Sequence, residues 1–363
     1  FDESELTPGH DGAKNSPNGT PVEWVEEESY FFRLSAYGDR LLAHFEANAD
    51  FIVPDKYRNE IVAFVKRGLQ DLSISRTTFN WGVPVPVEGA EGKVLYVWLD
   101  APLGYITATR NWAQKNGVDW KPYWQDKDTQ LVHFIGKDNI VFHCIIFPIL
   151  LKEQGDYLLP HNVPANEFMN LEGDKISTSR NWAVWAQDYV DDFNGRSDEM
   201  RYVLASIMPE QRDSEFTWPD FQARVNNELA DVLGNFVNRV FVLSGKFHEG
   251  KAPGASGNWT AVDQALRDLI TATPGLVGEA IERYRFRDAL QHAMGLVRAG
   301  NKYLTEEEPW KVVKTDPDRA ADILHLALQV TANAAIVLAP FLPRTAARIA
   351  AALGTSDLPW DAA

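Results

Sequence analysis

The chain has 363 residues, 45% of them hydrophobic and 12% aromatic, enough for roughly two to three domains with filled cores. A formal charge of −16 argues against a general nucleic-acid coat, but residues 1–219 hold 20 Lys/Arg against 34 Asp/Glu and residues 220–363 hold 15 against 17. One cysteine, Cys144, excludes an internal disulfide and a thiolate zinc cluster, and the longest apolar stretch, 140–151, is too short for a bilayer, so no membrane partner is expected.

Neither a basic start nor an apolar run follows Phe1, and a cytoplasmic home is therefore expected. Residues 1–93 mix loop signals (Thr7-Pro8-Gly9, Ser16 to Pro21) with short helical patterns at 37–48 and 58–68, and read as a connective or inserted region. From Val94 the texture changes. Residues 95–99 and 130–135 are apolar runs that predict strands, each followed by an apolar helix, and this alternation predicts a parallel sheet within 94–170. A strand-like stretch at 167–171 leads into 173–180, Gly-Asp-Lys-Ile-Ser-Thr-Ser-Arg, a mobile-looking loop in the 171–219 junction. Its two cations and three hydroxyls suit a polyphosphate.

Beyond Pro219, Val225, Leu229, Val232, Phe236, Val240 and Leu243 fall near one helical face. Similar stripes at 276–297 and 320–338 predict a helix bundle over 220–363, with loops at 251–257 and 315–318. Arg283, Arg285 and Arg287 give this near-neutral part either a solvated helix surface or a local basic face for a phosphate backbone.

In an open parallel sheet, ligands bind where strands end. Trp98, Pro102 and Tyr105 follow the first predicted strand. Gly136, Lys137, Asp138, Asn139, Phe142 and His143 follow the second, with Asp138 at a helix start. Singly, each is ordinary packing or capping. Together they offer one carboxylate in a nest of aromatic surface, which suits an ammonium and a thioether at once, the needs of methionine.

The segments Tyr30-Phe-Phe, Tyr57-Arg-Asn-Glu, Asp71-Leu-Ser-Ile-Ser-Arg, Tyr96-Val-Trp-Leu-Asp-Ala-Pro, Phe134-Ile-Gly-Lys-Asp and Glu308-Pro-Trp closely resemble the methionyl-tRNA synthetases, which are class I aminoacyl-tRNA synthetases. The resemblance runs over nearly the whole chain. It implies an α/β plus all-α protein, the C-terminal half of a class I Rossmann-like catalytic domain followed by an anticodon-binding helix bundle. By that resemblance Trp98, Pro102, Tyr105, Asp138, Asn139, Phe142 and His143 line a methionine pocket. Gly136, Lys137, Lys175, Ser177, Thr178 and Ser179 meet ATP, Lys175, Thr178 and Arg180 are catalytic, and Asn227, Arg239 and Trp310 meet the anticodon of tRNA(Met). The implied reaction joins methionine to AMP with magnesium on the phosphates, then passes the methionyl group to the tRNA.

Three departures accompany the resemblance. Thr178 stands where the family signature has its second lysine, which moves charge to Lys175, Arg180 or Lys137. The zinc-knuckle cysteines are absent, so no zinc is expected. The His-x-Gly-His turn is also absent, and residues ahead of Phe1 are expected to carry it. The leading expectation is a methionine–tRNA ligase. The alternatives are a tRNA-binding module that cannot adenylate, and a synthetase for another small apolar amino acid, which the aromatic box disfavours.

Overall fold

The computed structural model describes residues 6–9, 12–16, 19–23, 26, 28–77, 81–355 and 358–362. His10, and Pro17 and Asn18 of the expected 16–21 loop, lie outside them. The chain forms two compact units, Phe1–Ala165 and Asn166–Ala363.

The first unit is built on a small sheet with strand order Ile52–Val53, Val163–Asn166, Ile135–Gly136. Ile52 pairs in parallel with Val163 and Val53 with Pro164, and Val132 bridges Asn162 in parallel. Helices Gly38–Ala47 and Asp55–Lys66 present Leu41 and Phe45, and Tyr57, Ile61 and Val65, at i, i+4 spacing. These side chains share one core with Ile145 and Val163. Residues 34–69, expected in a connective region, thus supply a large part of the core around the sheet.

The expected strand at 95–99 needs correction. Val94–Leu95 pairs antiparallel with Ser75–Arg76 and takes no part in the parallel sheet, while Val97–Asp100 is helical. The helical turn Ala101–Leu103 follows, and Pro102, whose ring fixes φ near helical values, favours that continuation. The apolar run is there because Leu99 packs inward and Trp98 faces a cavity, not because it is a buried strand.

In the second unit, Met169–Leu171 pairs antiparallel with Asp174–Lys175 and in parallel with Ser214–Phe216. Trp218–Arg224, Val225–Gly234 and Asn235–His248 follow one another as a continuous helical rod, with Phe236 and Val240 fully buried. The bundle continues with Ala261–Glu282, Phe286–Glu307, Pro317–Leu338 and Pro343–Ala352. The single stripe expected at 276–297 is two helices. Tyr284 adopts φ 59° and turns the chain, a break that neither glycine nor proline announces. Pro317–Leu338, and not 140–151, is the long apolar segment. Its 22 residues have the length and composition to cross a membrane, yet 72% of its apolar window is buried within the bundle.

A buried polar cluster ties three helices of this unit together. Thr260 and Asp263 form a capping box, and Asp263 accepts Arg319 Nη1 at 2.5 Å, Arg319 Nη2 at 2.9 Å and Tyr303 Oη at 2.5 Å. Burial alone would raise the Asp263 pKa, but these donors bring it down to about 2.

Candidate functional site

Three elements of the first unit surround a cavity of about 310 Å³. The helical turns after Val94–Leu95 place Trp98, Ala101, Pro102 and Tyr105 on one wall. The strand end contributes Phe134, Ile135 and Gly136, and the following helix contributes Asn139, Phe142 and His143. That helix widens to a π-helix over Phe142–Ile146, with the Phe147 N–H bonded to the Phe142 carbonyl five residues back. Such widened turns are rare and frequent at functional sites. Here Phe142 stacks on Trp98 at 5.2 Å between ring centroids.

His143 is held from both sides. Its Nδ1 lies 2.9 Å from the Asn139 carbonyl, an acceptor only, so Nδ1 carries the proton. Its Nε2 then accepts the Tyr105 hydroxyl at 2.9 Å. Burial lowers the His143 pKa, against a raising contribution from the Asn139 hydrogen bond. Behind it, His133 sits 5.5 Å from the His143 ring and 5.2 Å from the Tyr105 ring. Burial, with repulsion from His143, lowers the His133 pKa to about 4. The walls are therefore aromatic and uncharged at neutral pH. Trp98 and Tyr105 remain 43% and 46% exposed, so the cavity is open.

Six of the seven expected pocket residues line this cavity; Asp138 does not. It is exposed in the turn Lys137–Asn139, and its Oδ1 lies 2.7 Å from where a Cβ on Gly136 would stand. The carboxylate thus curls over a glycine at the end of the strand. Lys137 shares this turn. Ala101, Phe134 and Ile135 lie inside the quoted segments but were not singled out as pocket residues, and His133, two residues before the strand, was missed.

The polyphosphate-type loop belongs to the second unit and is a hairpin, not an open loop. Glu172 and Gly173 have φ of 50° and 87° and form its tight turn. Ser177 and Trp182 exchange backbone hydrogen bonds of 2.9 Å that close a second turn around Thr178, Ser179 and Arg180. Arg180 Nη2 reaches back to the Lys175 carbonyl at 3.2 Å, and Lys175 Nζ rests 4.9 Å from the Phe168 ring. Trp182 Nε1 anchors the loop on the Leu171 carbonyl at 3.0 Å. Lys175, Thr178, Ser179 and Arg180 are exposed and Ser177 half-buried, so cations and hydroxyls face solvent together.

In the bundle, the Arg239 guanidinium lies 5.5 Å from the Trp310 ring. Glu308 adopts φ 42°, ending the helix Phe286–Glu307 and starting the short helix that carries Trp310. Asn227 is not with them. It lies twelve residues before Arg239 on the same rod, roughly three helical turns away, and lines a separate cavity. Exposed Asn235, four residues before Arg239, shares that residue's helical face instead. Among the described residues no group of three or more His, Cys, Asp or Glu could hold a metal ion.

Comparison with known proteins agrees with these features. A family described as tRNA synthetases class I (M) matches residues 12–241, and the anticodon binding domain of methionyl tRNA ligase matches residues 253–363. The methionine–tRNA ligase of Flavobacterium johnsoniae is 49% identical over 340 residues, covering 93% of this chain and 47% of the relative. That of Phocaeicola vulgatus is 52% identical over 339 residues, 93% of this chain and 46% of the relative. The chain thus spans about half the length of these relatives. Among solved structures, the Mycobacterium tuberculosis methionyl-tRNA synthetase in complex with methionyl-adenylate superposes with a TM-score of 0.83 at 34% identity, covering 96% of this chain and 67% of that one. The chain belongs to the methionine-specific class I tRNA synthetases, with a class I catalytic portion followed by the family's helical anticodon-binding domain.

Proposed function

We propose that the protein is a methionine–tRNA ligase, ATP-dependent and AMP-forming. The observation that carries this reading is the aromatic cavity walled by Trp98, Pro102, Tyr105, Phe142 and neutral His143, which offers sulfur–aromatic contacts worth about 0.3–1.5 kcal/mol each and no charge. Asp138, at the strand end beside the cavity residues, faces the methionine ammonium, and Asn139 holds His143 in place. The methionine carboxylate attacks the α-phosphate of ATP, pyrophosphate leaves, and the terminal ribose hydroxyl of tRNA(Met) then displaces AMP from methionyl-adenylate. Lys175, Ser177, Thr178, Ser179 and Arg180 of the second unit are the groups this reading offers to the ATP phosphates, and Gly136 and Lys137 of the first unit are likewise offered to ATP; magnesium bound with ATP would offset part of the phosphate charge. Thr178 supplies only a hydroxyl, so Lys175 and Arg180 carry the loop's charge. Catalysis is then mostly positioning and charge stabilisation.

In the bundle, Trp310 stacks on an anticodon base, with Arg239 and Asn235 beside it; Asn235 takes the place expected of Asn227. The test is methionine-dependent ATP–pyrophosphate exchange. Exchange that requires methionine and is lost in Lys175→Ala is the expected result. Exchange that leucine supports equally, or tRNA binding with no exchange at all, contradicts the proposal.

A further inference from the structure

A second polar cavity, of about 340 Å³, lies between the helical rod and the helix Phe286–Glu307. Arg224, Arg287 and Arg298 line it together with Asn227, Gln291 and Ser206. Asp220 and Glu228 are also in its wall, but both are committed. Asp220 accepts Arg224 Nε at 2.7 Å, and Glu228 pairs with Arg298. These pairs fix two guanidinium groups in place. Arg287 is half-buried; Glu210, which is not among the lining residues, accepts its backbone N–H at 3.0 Å and interacts electrostatically with its guanidinium. The residues that line the cavity thus set three guanidinium groups against two carboxylates, in a chain whose net charge is −16.

The cavity and the Trp310–Arg239 patch lie on one seam. Arg298 meets Glu228, Asn301 Nδ2 donates to the Val232 carbonyl at 2.9 Å, and Arg239 covers Trp310, so successive contacts advance along both segments in the same direction. Asn227 and Arg239 mark points roughly three helical turns apart along that seam. An RNA that stacks a base on Trp310 therefore has its continuing backbone within reach of the cavity.

We propose that this cavity is a phosphate site, which takes a backbone phosphate of the RNA stem adjoining the bases held at Trp310. Guanidinium groups grip phosphate oxygens through paired N–H donors, and Asn227, Gln291 and Ser206 add neutral donors. The inference rests on the RNA-binding reading of the Trp310 patch. It adds a contact that recognises the backbone and not a base, so it sets register and affinity without reading sequence.

Binding of this chain to an anticodon hairpin RNA and to the same loop without its stem, across a salt series, tests the proposal. Arg287→Gln, and independently Gln291→Glu, weaken hairpin binding by about three- to tenfold, and Arg287→Gln reduces the slope of log affinity against log salt by about 1. Binding to the stemless loop is unchanged, and inorganic phosphate does not match the hairpin in affinity. Trp310→Ala weakens both RNAs. Unchanged hairpin affinity and slope in both cavity variants, or equal losses on hairpin and loop, overturns the proposal. So does tight inorganic phosphate binding lost in Arg287→Gln while hairpin binding persists. If the unaltered chain binds neither RNA, the anticodon reading itself fails, an outcome distinct from a cavity that plays no part.

Discussion

Tyr105 donates to His143 Nε2 while the Asn139 carbonyl holds the Nδ1 proton, so the imidazole is committed on both sides and serves as a wall, not as an acid or base. Removing the hydroxyl in Tyr105→Phe leaves Nε2 without its donor, at a cost of about 1–3 kcal/mol for an unsatisfied buried group. We predict that Trp98→Ala raises the methionine KM by about two- to tenfold, the range a lost sulfur–aromatic contact gives, and leaves the ATP KM nearly unchanged. Steady-state kinetics with each substrate varied checks this, and equal effects on both would refute the assignment. His133 contributes a pH dependence. Its folded pKa of about 4 lies below the ordinary 6.5, so the unfolded chain binds the proton first. Stability is full above about pH 6.5 and falls as the pH drops towards 4, and His133→Phe flattens that part of the profile in thermal melts. At this scale the sequence was legible where cavity-lining residues are contiguous, as with Trp98 to Tyr105 and Asn139 to His143, whereas Asp138, expected among them, stands exposed outside the lining. The sequence misled at Asn227, because choosing among the asparagines of a rod depends on which one faces Trp310, and no local pattern encodes that neighbour.

Glycines mark where elements must approach closely. A Cβ on Gly300 would lie 2.6 Å from Phe236 Cζ and 2.9 Å from Val330 Cγ1, side chains of two different helices and both fully buried. Gly300→Ala should therefore cost about 1–3 kcal/mol by overpacking, seen as a lowered midpoint in denaturant. Gly136→Ala acts locally: the new methyl would displace Asp138 from its place over the strand end. Methionine binding should weaken while the melting temperature hardly moves. The helices were legible as elements because their apolar faces repeat over many turns. Ile52–Val53 was not, since two residues carry no alternation, and the strand is specified by its parallel partner Val163–Asn166 across more than a hundred residues of chain. The turn at Tyr284 was hidden for the opposite reason: apolar faces on either side of it continue almost in phase.

Each compact unit has its own core, and the second depends on a buried ion cluster as well. Arg319 is shared between Asp263 and Glu307, with Nη2 2.6 Å from Glu307 Oε2, so one side chain links the starts of two helices to the end of a third. Asp263→Ala leaves that guanidinium and the Tyr303 hydroxyl without their main acceptor, and should destabilise the bundle by about 3–5 kcal/mol. Because the Asp263 pKa lies near 2, the cluster persists above about pH 4 and is lost as the pH falls through 2. The helical second part of the molecule was legible from its periodicity, and its family from the ordered segments that resemble the methionyl-tRNA synthetases. The packing of residues 34–69 into the core around the sheet was not, because it depends on pairing between distant segments. The most direct test of the central claim is calorimetric titration of the protein with methionine and with leucine. Methionine is expected to bind at least about tenfold more tightly than leucine, and Trp98→Ala to remove the preference. Equal binding of the two amino acids, or a preference untouched by Trp98→Ala, would contradict that claim.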